Sequence, residues 1–111
     1  ALELPSALMT NQYSFSNAEI LSEGFQRLRL GPVIGERTAG GVIGTGAYAL
    51  WDGGMIRMPR IGCYTITGEN LEGNGRKPTK NVLFDLNAWH QGRDVQLEAA
   101  VQELLRVLPR G

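Results

Sequence analysis

The chain has 111 residues, of which 42% are apolar and 20% are charged, a composition typical of a soluble globular domain. Its 11 basic and 11 acidic residues balance, so no basic surface indicates nucleic-acid binding. No stretch approaches the roughly 20 apolar residues of a membrane span. The single cysteine, Cys63, excludes an internal disulfide and a cysteine-based zinc site. We expect neither a metal nor a cofactor.

The first third of the chain predicts a βαβ unit. Residues 1–6 form a lead-in that is either an edge strand or a frayed end, and residues 7–10 predict a short buried strand. A helix is predicted from about Ser16 to Leu30 and ends at Gly31-Pro32. Its predicted apolar face carries Ala18, Leu21, Phe25 and Leu28. The buried strand that follows consists of Val33 and Ile34.

The middle of the chain predicts a loop, a hairpin and one more strand. Residues 36–46 form a glycine-rich loop that lacks the spacing of nucleotide-binding motifs. Residues 47–58 predict a β-hairpin around an Asp-Gly turn. Residues 61–66 predict a further strand, in which Cys63 is a small core hydrophobe.

The last third predicts a polar loop and a closing helix. Residues 67–79 are rich in glycine and carry two acids, and residues 81–84 are a short extended piece. Asp94 is predicted to cap the final helix, which ends at Pro109. The predicted apolar face of this helix carries Leu97, Val101, Leu104 and Leu108.

Ser16 stands at the predicted start of the first helix. Free backbone N–H groups and the positive end of the helix dipole converge there. A strand-to-helix turn of this kind can hold a hydroxyl nucleophile, and the N–H of Asn17 can receive an oxyanion. A structural interpretation is also available, because Ser16 and Glu19 are spaced as a capping box. Ser14 is an alternative cap. The local pattern alone favours a cap, since caps are far commoner than nucleophiles.

Four segments, in order along the chain, resemble the C-terminal processing peptidase and tricorn protease family. Residues 13–20 are similar to the nucleophile motif, a serine followed after two residues by an acid that opens the helix. Residues 33–44 resemble the threonine- and glycine-containing segment of the tricorn branch. Residues 70–78 resemble the later glutamate-containing glycine loop, and residues 92–100 resemble the closing helix.

This resemblance implies an α/β fold of the Clp protease and crotonase type, built from the βαβ unit, the β-hairpin and the C-terminal helix. Residues 1–111 would then be the C-terminal half of a catalytic domain, and thus a partial domain. The implied activity is that of a serine peptidase that hydrolyses peptides by acyl transfer.

The resemblance also implies roles for individual residues. Ser16 matches the nucleophile, Asn17 matches one oxyanion donor, and Glu72 matches the glutamate that orders a catalytic histidine. The loop that contains Gly40 and Gly41 is expected to line the substrate or to form a plain turn.

The base is not evident in the sequence. One branch of the family uses a lysine where this chain has Gly41, so a Ser-Lys dyad is not available. The tricorn branch takes its histidine, a serine and a glycine oxyanion donor from further upstream. His90, the only histidine, does not match that position and is expected to face solvent. Glu69 competes with Glu72 for the acid role. Arg76 and Lys77 are expected to be exposed charges, or to pair with Glu72 or with a substrate carboxylate.

Two other classes of function remain open. One is a noncatalytic module that binds peptides or hydrophobic ligands on the same scaffold. The other is acyl-CoA chemistry, for which the chain carries no matching motif. The expected partners are a peptide or unfolded protein substrate and the upstream part of the same polypeptide, without nucleic acid, and a homo-oligomer is left open. The compartment is also open, between a prokaryotic cytoplasm and the periplasm or cell envelope.

Overall fold

A computed structural model describes residues 4–108. Strands β1, β2 and β5 form a parallel sheet in the order β1–β2–β5, and β3 pairs with β4 in an antiparallel hairpin. The expectations for Pro109 and for the first three residues lie outside the described range. In chain order, the elements are β1 (Leu8–Thr10), α1 (Asn17–Arg27), β2 (Val33–Gly35), β3 (Gly44–Ala49), β4 (Met55–Ile61), β5 (Lys80–Asn81), α2 (Leu86–His90) and α3 (Val95–Val107).

The predicted βαβ unit is confirmed. β1 and β2 run parallel, with Leu8 opposite Val33 and Thr10 opposite Gly35, and α1 connects them. Val33 and Ile34 are fully buried, as expected for a central parallel strand covered on both faces. Gly35 has φ 120°, and a Cβ at this position would lie 2.1 Å from the carbonyl oxygen of Thr10. Only glycine therefore fits where β2 leaves the sheet.

Helix α1 is shorter than predicted. It ends at Arg27, with Leu28 as its C-cap, and Arg29 adopts a left-handed conformation with φ 53°. A left-handed residue just after the C-cap ends a helix without the aid of proline. The stop therefore comes before Gly31-Pro32.

The predicted apolar face of α1 is confirmed only at Phe25. Leu21 and Leu28 are 57% and 70% exposed, whereas the buried residues of the helix are Glu19, Ser22 and Phe25. Helical periodicity predicts that apolar side chains form the buried face. Here, however, the centre of that face is a carboxylate that accepts hydrogen bonds from donors elsewhere in the chain. Those donors come from a loop about twenty residues away in sequence, which periodicity does not register.

Glu19 is fully buried and holds three segments of the chain together. Its Oε1 accepts hydrogen bonds from the hydroxyl of Thr38 at 2.6 Å and from the N–H of Gly40 at 2.7 Å. Its Oε2 accepts from the N–H of Gly41 at 2.8 Å and from the N–H of Ser16 at 3.1 Å. A carboxylate that accepts four hydrogen bonds can be buried because its lost hydration is replaced by fixed donors.

The β-hairpin is confirmed and is longer than predicted, since it spans β3 and β4 from Gly44 to Ile61. The strand predicted for residues 61–66 is wrong. Ile61 is the last residue of β4, and the only pairing beyond it in the described residues before β5 is an isolated bridge from Tyr64 to Asn70. The chain turns here because the Thr65 hydroxyl oxygen accepts from the N–H groups of residues 67 and 69. Cys63 is half-buried rather than in the core.

The closing helix begins where predicted but buries a different face. Asp94 caps α3 by accepting from the N–H groups of Gln96 and Leu97, each at 3.0 Å. The buried residues of α3 are Gln96 and Ala100, while Leu97 is 50% exposed. Gln96 can be buried because its Nε2 donates to the Val82 carbonyl oxygen at 2.8 Å.

An ion pair joins α3 to the sheet. The ammonium of Lys80 on β5 donates to the carboxylate of Glu103. This hydrogen bond lowers the pKa of the Glu103 carboxyl, and Arg106 lowers it further.

Within residues 4–108, no helix is both long enough and apolar enough to cross a membrane.

Replacing Glu19 by glutamine tests the central carboxylate. Glutamine has one acceptor oxygen and one NH₂ donor, so two of the four donors would face another donor in either orientation of the amide. We expect the free energy of unfolding to fall by about 3 kcal/mol, measured by urea denaturation followed by far-UV circular dichroism.

The matched control is Glu98→Gln, which removes the same charge from a surface ion pair between Glu98, on α3, and Arg93, which precedes the helix. It should change the free energy of unfolding by less than about 1 kcal/mol. Equal losses in the two variants would show that Glu19 is not the central support.

Candidate active site

Ser16 lies in a strained turn between β1 and α1. It is half-buried, with φ 57° and ψ −121°. A non-glycine residue in such a conformation costs on the order of 1–3 kcal/mol and persists only where its surroundings impose it. The N–H of Ser16 supplies that constraint, since it donates to the carbonyl oxygen of Gly41 at 2.9 Å and to Glu19 Oε2 at 3.1 Å.

The Ser16 side chain lies at the start of α1, in a capping box with Glu19. Ser16 and Glu19 have the relation of a capping box, and Glu19 supplies its half by accepting the N–H of Ser16. The Ser16 side chain faces the N–H of Glu19, as in the other half of the box, but forms no full cap hydrogen bond with it, and that N–H donates to the Ser16 carbonyl oxygen at 2.9 Å. Ser14 is not the cap either, because its hydroxyl oxygen accepts from the N–H of Asn11 at 3.1 Å.

The N–H of Asn17 has a free direction at the start of α1. Within residues 4–108, the N–H groups of Ser16, Ala18 and Glu19 each have a backbone acceptor, whereas that of Asn17 has none. It is the first N–H of the helix, where the positive end of the helix dipole adds to its own partial charge. An anionic oxygen beside the Ser16 hydroxyl could therefore accept a hydrogen bond from this N–H.

Residues 38–43, which we call the glycine segment, connect Ser16 to Glu72. The carbonyl oxygen of Gly41 binds the N–H of Ser16. The next two N–H groups, of Val42 and Ile43, donate to Glu72 Oε2 at 2.6 and 2.7 Å. The structure thus fastens Ser16 and Glu72 to consecutive residues of one segment. Two residues that are 56 positions apart in sequence are thus hydrogen-bonded to the same segment.

The two glycines that the sequence analysis singled out differ in their surroundings. Gly40 is buried with φ 85°, and a Cβ there would lie 3.0 Å from the backbone nitrogen of Gly75. Gly41 is exposed, and a Cβ there would meet nothing within 4 Å. Gly40 therefore packs against the loop that carries Glu72, while Gly41 faces open space beside Ser16.

The remaining charged candidates have other partners or none. The expectation for Arg76 was wrong, because its side chain is only 16% exposed and pairs with Glu23 at 3.4 Å and Glu69 at 3.3 Å, not with Glu72. Glu69 is thereby engaged on another side of the loop. His90 is the exposed last residue of α2, and it makes no hydrogen bond to Ser16 or Glu72 within the described chain.

Sequence reasoning missed the anchoring role of Glu19, which it treated only as part of a cap. The available signal was a glutamate three residues after the cap together with a distant Thr-x-Gly-Gly sequence, which offers a hydroxyl and two N–H donors to one carboxylate.

Sequence reasoning also missed two neighbouring cavities beyond the ends of β1 and β2. Their volumes are about 640 and 290 Å³, and they share Gln12 and Glu36 as wall residues. Ser16 is not among the residues that line either cavity. Residues 4–108 contain no group of three His, Cys, Asp or Glu side chains that could hold a metal ion.

Comparison with protein families matches residues 1–82 to peptidase family S41. The tricorn protease of Thermoplasma acidophilum is 32% identical over 102 residues, which are 90% of this chain and 10% of that protein. Tricorn protease homolog 1 of Streptomyces coelicolor is 34% identical over 106 residues, which are 94% of this chain and 10% of that protein.

Solved structures show the same fold. The crystal structure of the tricorn protease superposes with a TM-score of 0.85 at 30% identity, over 90% of this chain and 10% of that chain. The photosystem II D1 C-terminal processing protease shares the fold, with a TM-score of 0.61 at 23% identity over 70% of this chain and 20% of that chain. The chain spans about a tenth of the length of the curated relatives it matches. The family match, together with the α/β architecture shared with the tricorn protease, shows that this chain belongs to peptidase family S41.

Proposed function

We propose that this chain is the C-terminal half of a serine peptidase catalytic domain and that Ser16 is its nucleophile. The observation that carries the proposal is the conformation of Ser16. A left-handed serine at a strand-to-helix turn is unfavourable for folding, and a plain helix cap does not require it. The same conformation presents a hydroxyl at the mouth of a helix, as in the nucleophile turns of other hydrolases.

The surroundings of Ser16 support the stabilisation of negative charge. When the Ser16 Oγ attacks a peptide carbonyl carbon, the carbonyl oxygen becomes an oxyanion. The N–H of Asn17 is the proposed donor to that oxygen, since it has no other acceptor in the described chain and lies at the positive end of α1. A second donor would come from a glycine in the upstream part of the polypeptide.

The base is proposed to be a histidine from the upstream part of the same polypeptide, ordered by Glu72. It would take the proton of the Ser16 hydroxyl and deliver it to the leaving amine as the C–N bond breaks. Water would then hydrolyse the acyl-enzyme by the same route. The Glu72 carboxylate suits the ordering role because two N–H groups of the glycine segment fix its Oε2. Residues 1–111 alone would have little or no activity.

Gly41 is the proposed substrate-lining residue beside Ser16, because it is exposed and faces open space. Gly40 would act behind it by fixing the loop. The proposed substrate is a peptide or an unfolded protein. The alternative, a noncatalytic binding module, is distinguished by the reactivity of Ser16.

Labelling by a serine-directed phosphonate tests the nucleophile. We expect the full-length protein to be modified at Ser16 with one phosphonate per chain, because the hydroxyl is activated by a base and the N–H of Asn17 accommodates the phosphonyl oxygen. Peptide mass spectrometry would locate the adduct. Ser16→Ala should abolish labelling.

The matched control is Ser14→Ala, which removes a hydroxyl two residues away that only binds the N–H of Asn11. This variant should still be labelled at Ser16. A full-length protein that cleaves peptides but remains unmodified at Ser16, or that retains turnover as Ser16→Ala, would remove Ser16 from the role.

Glu72→Gln tests the ordering carboxylate in the full-length enzyme. Glutamine can keep an acceptor oxygen toward Val42 and Ile43 but loses the negative charge that would stabilise an imidazolium. We expect kcat to fall by at least about tenfold with little change in KM. Glu69→Gln, which alters the acid paired with Arg76, should leave kcat within about twofold. Equal effects of the two variants would contradict the assignment.

The strain at Ser16 is testable by comparing glycine with alanine. Glycine adopts positive φ without steric penalty, so Ser16→Gly should be more stable than Ser16→Ala by about 1 kcal/mol. At Ser22, in the interior of α1, the order should reverse by about 1 kcal/mol, because glycine disfavours a regular helix. Urea denaturation of the four variants would measure both differences. The same order at both positions would refute the strain.

A further inference from the structure

We propose that a second site on this chain binds the cationic side chain of a lysine or arginine in the bound peptide. The site is the smaller of the two cavities described above, with a volume of about 290 Å³. We call it the glutamate pocket. Its walls consist of one carboxylate, three amides and two aromatic rings, supplied by Glu36, Asn11, Gln12, Gln96, Tyr13 and Phe84.

The glutamate pocket lies where the sheet topology favours ligands. Its residues follow the carboxyl ends of β1, which ends at Thr10, and β2, which ends at Gly35. In parallel sheets, ligands bind in the crevice outside the carboxyl ends of the strands. Helix α3 closes the pocket with Gln96, a buried residue. The location therefore agrees with a binding site built by the fold rather than with a surface irregularity.

Glu36 gives the pocket its charge. The backbone of Glu36 is fixed to β1, because its N–H donates to the Thr10 carbonyl oxygen at 2.8 Å and its carbonyl oxygen accepts from the Thr10 hydroxyl at 2.9 Å. Its side-chain Oε2 accepts one long hydrogen bond, which Gln96 Nε2 donates at 3.4 Å. The ion pairs formed among residues 4–108 do not include Glu36.

The walls of the pocket contain no cation that would neutralise Glu36. Arg37 follows in sequence but lines the larger neighbouring cavity, and it forms no ion pair with Glu36 within 4.0 Å. A partly desolvated carboxylate attracts a cation more strongly than one in open water, because the local dielectric constant is lower. The electrostatic character of the pocket is thus negative.

The shape and the remaining walls select an extended cationic side chain. Tyr13 and Phe84 are 78% and 50% exposed, so their rings are available to cover an aliphatic stem and to contact an ammonium or guanidinium group. The amide oxygen of Gln12 could accept a hydrogen bond that the carboxylate leaves over, and that of Asn11, which accepts from the N–H of Tyr13 at 2.9 Å, has a second lone pair for another. A lysine or arginine side chain satisfies all three kinds of wall, whereas an anionic or purely apolar side chain would leave Glu36 uncompensated.

The position of the pocket relative to cleavage rests on the proposed function of Ser16. Tyr13 is three residues from Ser16, so their Cα atoms are at most about 11 Å apart. An extended peptide advances about 3.3 Å per residue. On this basis we place a basic residue held in the pocket within about four positions of the bond presented to Ser16.

Binding to the noncleaving Ser16→Ala variant of the full-length protein tests the pocket. The probes are N-acetylated, C-amidated peptides of alanine, glycine and serine that carry one lysine, placed in turn within four positions of the centre. Isothermal titration calorimetry would compare each peptide with its acetyl-lysine counterpart. We expect a preference of about tenfold for lysine at one or two adjacent positions, and the preference should weaken with added salt.

The added substitution Glu36→Gln should remove this preference, while Glu98→Gln, the same charge change at a surface ion pair on α3, should retain it. A preference for lysine that survives Glu36→Gln would overturn the proposal. A lysine-free peptide with an unblocked N-terminus that shows the same Glu36-dependent gain would assign the pocket to a terminal ammonium and would also overturn it.

The readout separates this proposal from the proposed function, because binding to Ser16→Ala does not depend on catalysis. If the unsubstituted protein resists phosphonate labelling but the lysine preference and its loss in Glu36→Gln are observed, the peptidase proposal fails and the pocket stands. If labelling succeeds but lysine and acetyl-lysine peptides bind equally, the pocket proposal fails alone.

Discussion

The hydrogen bonds around the buried carboxylate of Glu19 are the interaction on which the rest of the structure depends. A carboxylate loses its hydration when it is buried, and this loss is tolerable only if donors surround it on all sides. Here the donors are one hydroxyl and three backbone N–H groups from two loops. Because the donors are backbone groups, the carboxylate fixes the path of the chain rather than the position of one side chain. The loop that ends at α1 and the glycine segment therefore move as one unit.

This constraint explains how an unfavourable backbone conformation persists at Ser16. The N–H of Ser16 is shared between Gly41 and Glu19, so relaxation to an ordinary helix start would break two contacts and disturb a buried charge. The cost of the left-handed conformation is comparable to the contribution of a few hydrogen bonds to a charged group. The same glycine segment then carries Glu72 on its next two N–H groups. The strained conformation of Ser16 and the position of Glu72 therefore both depend on the glycine segment.

The elements that were predictable from the sequence are those with a local cause. The βαβ unit, the Asp-Gly hairpin and the Asp94 cap follow from short-range patterns, and all three are present. The S41 resemblance was readable because its motifs occur in order. The carry-over of roles to Ser16, Asn17 and Glu72 remains a prediction, since geometry alone does not measure reactivity.

The errors arose where a polar side chain finds a distant partner. Helices α1 and α3 turn Glu19 and Gln96 inward, against the predicted apolar stripes, because residues far away in sequence satisfy their hydrogen bonds. Arg76 was expected at the surface and instead joins two acids. A hydrophobic pattern shows how strongly each residue prefers water. It does not show whether another part of the folded chain will supply hydrogen-bond partners that replace water. Such substitutes are fixed only by tertiary structure.

The placement of the two tryptophans has a consequence for spectroscopy. Trp51 stands fully in solvent at the hairpin turn, and Trp89 is half exposed and packs against Phe84, with their ring centroids 5.9 Å apart. Neither indole is in the core, so intrinsic emission is a poor monitor of whether the domain is folded. Trp89 instead is an optical reporter one ring away from the wall of the glutamate pocket, and Trp51 reports on whatever shields the hairpin tip from water.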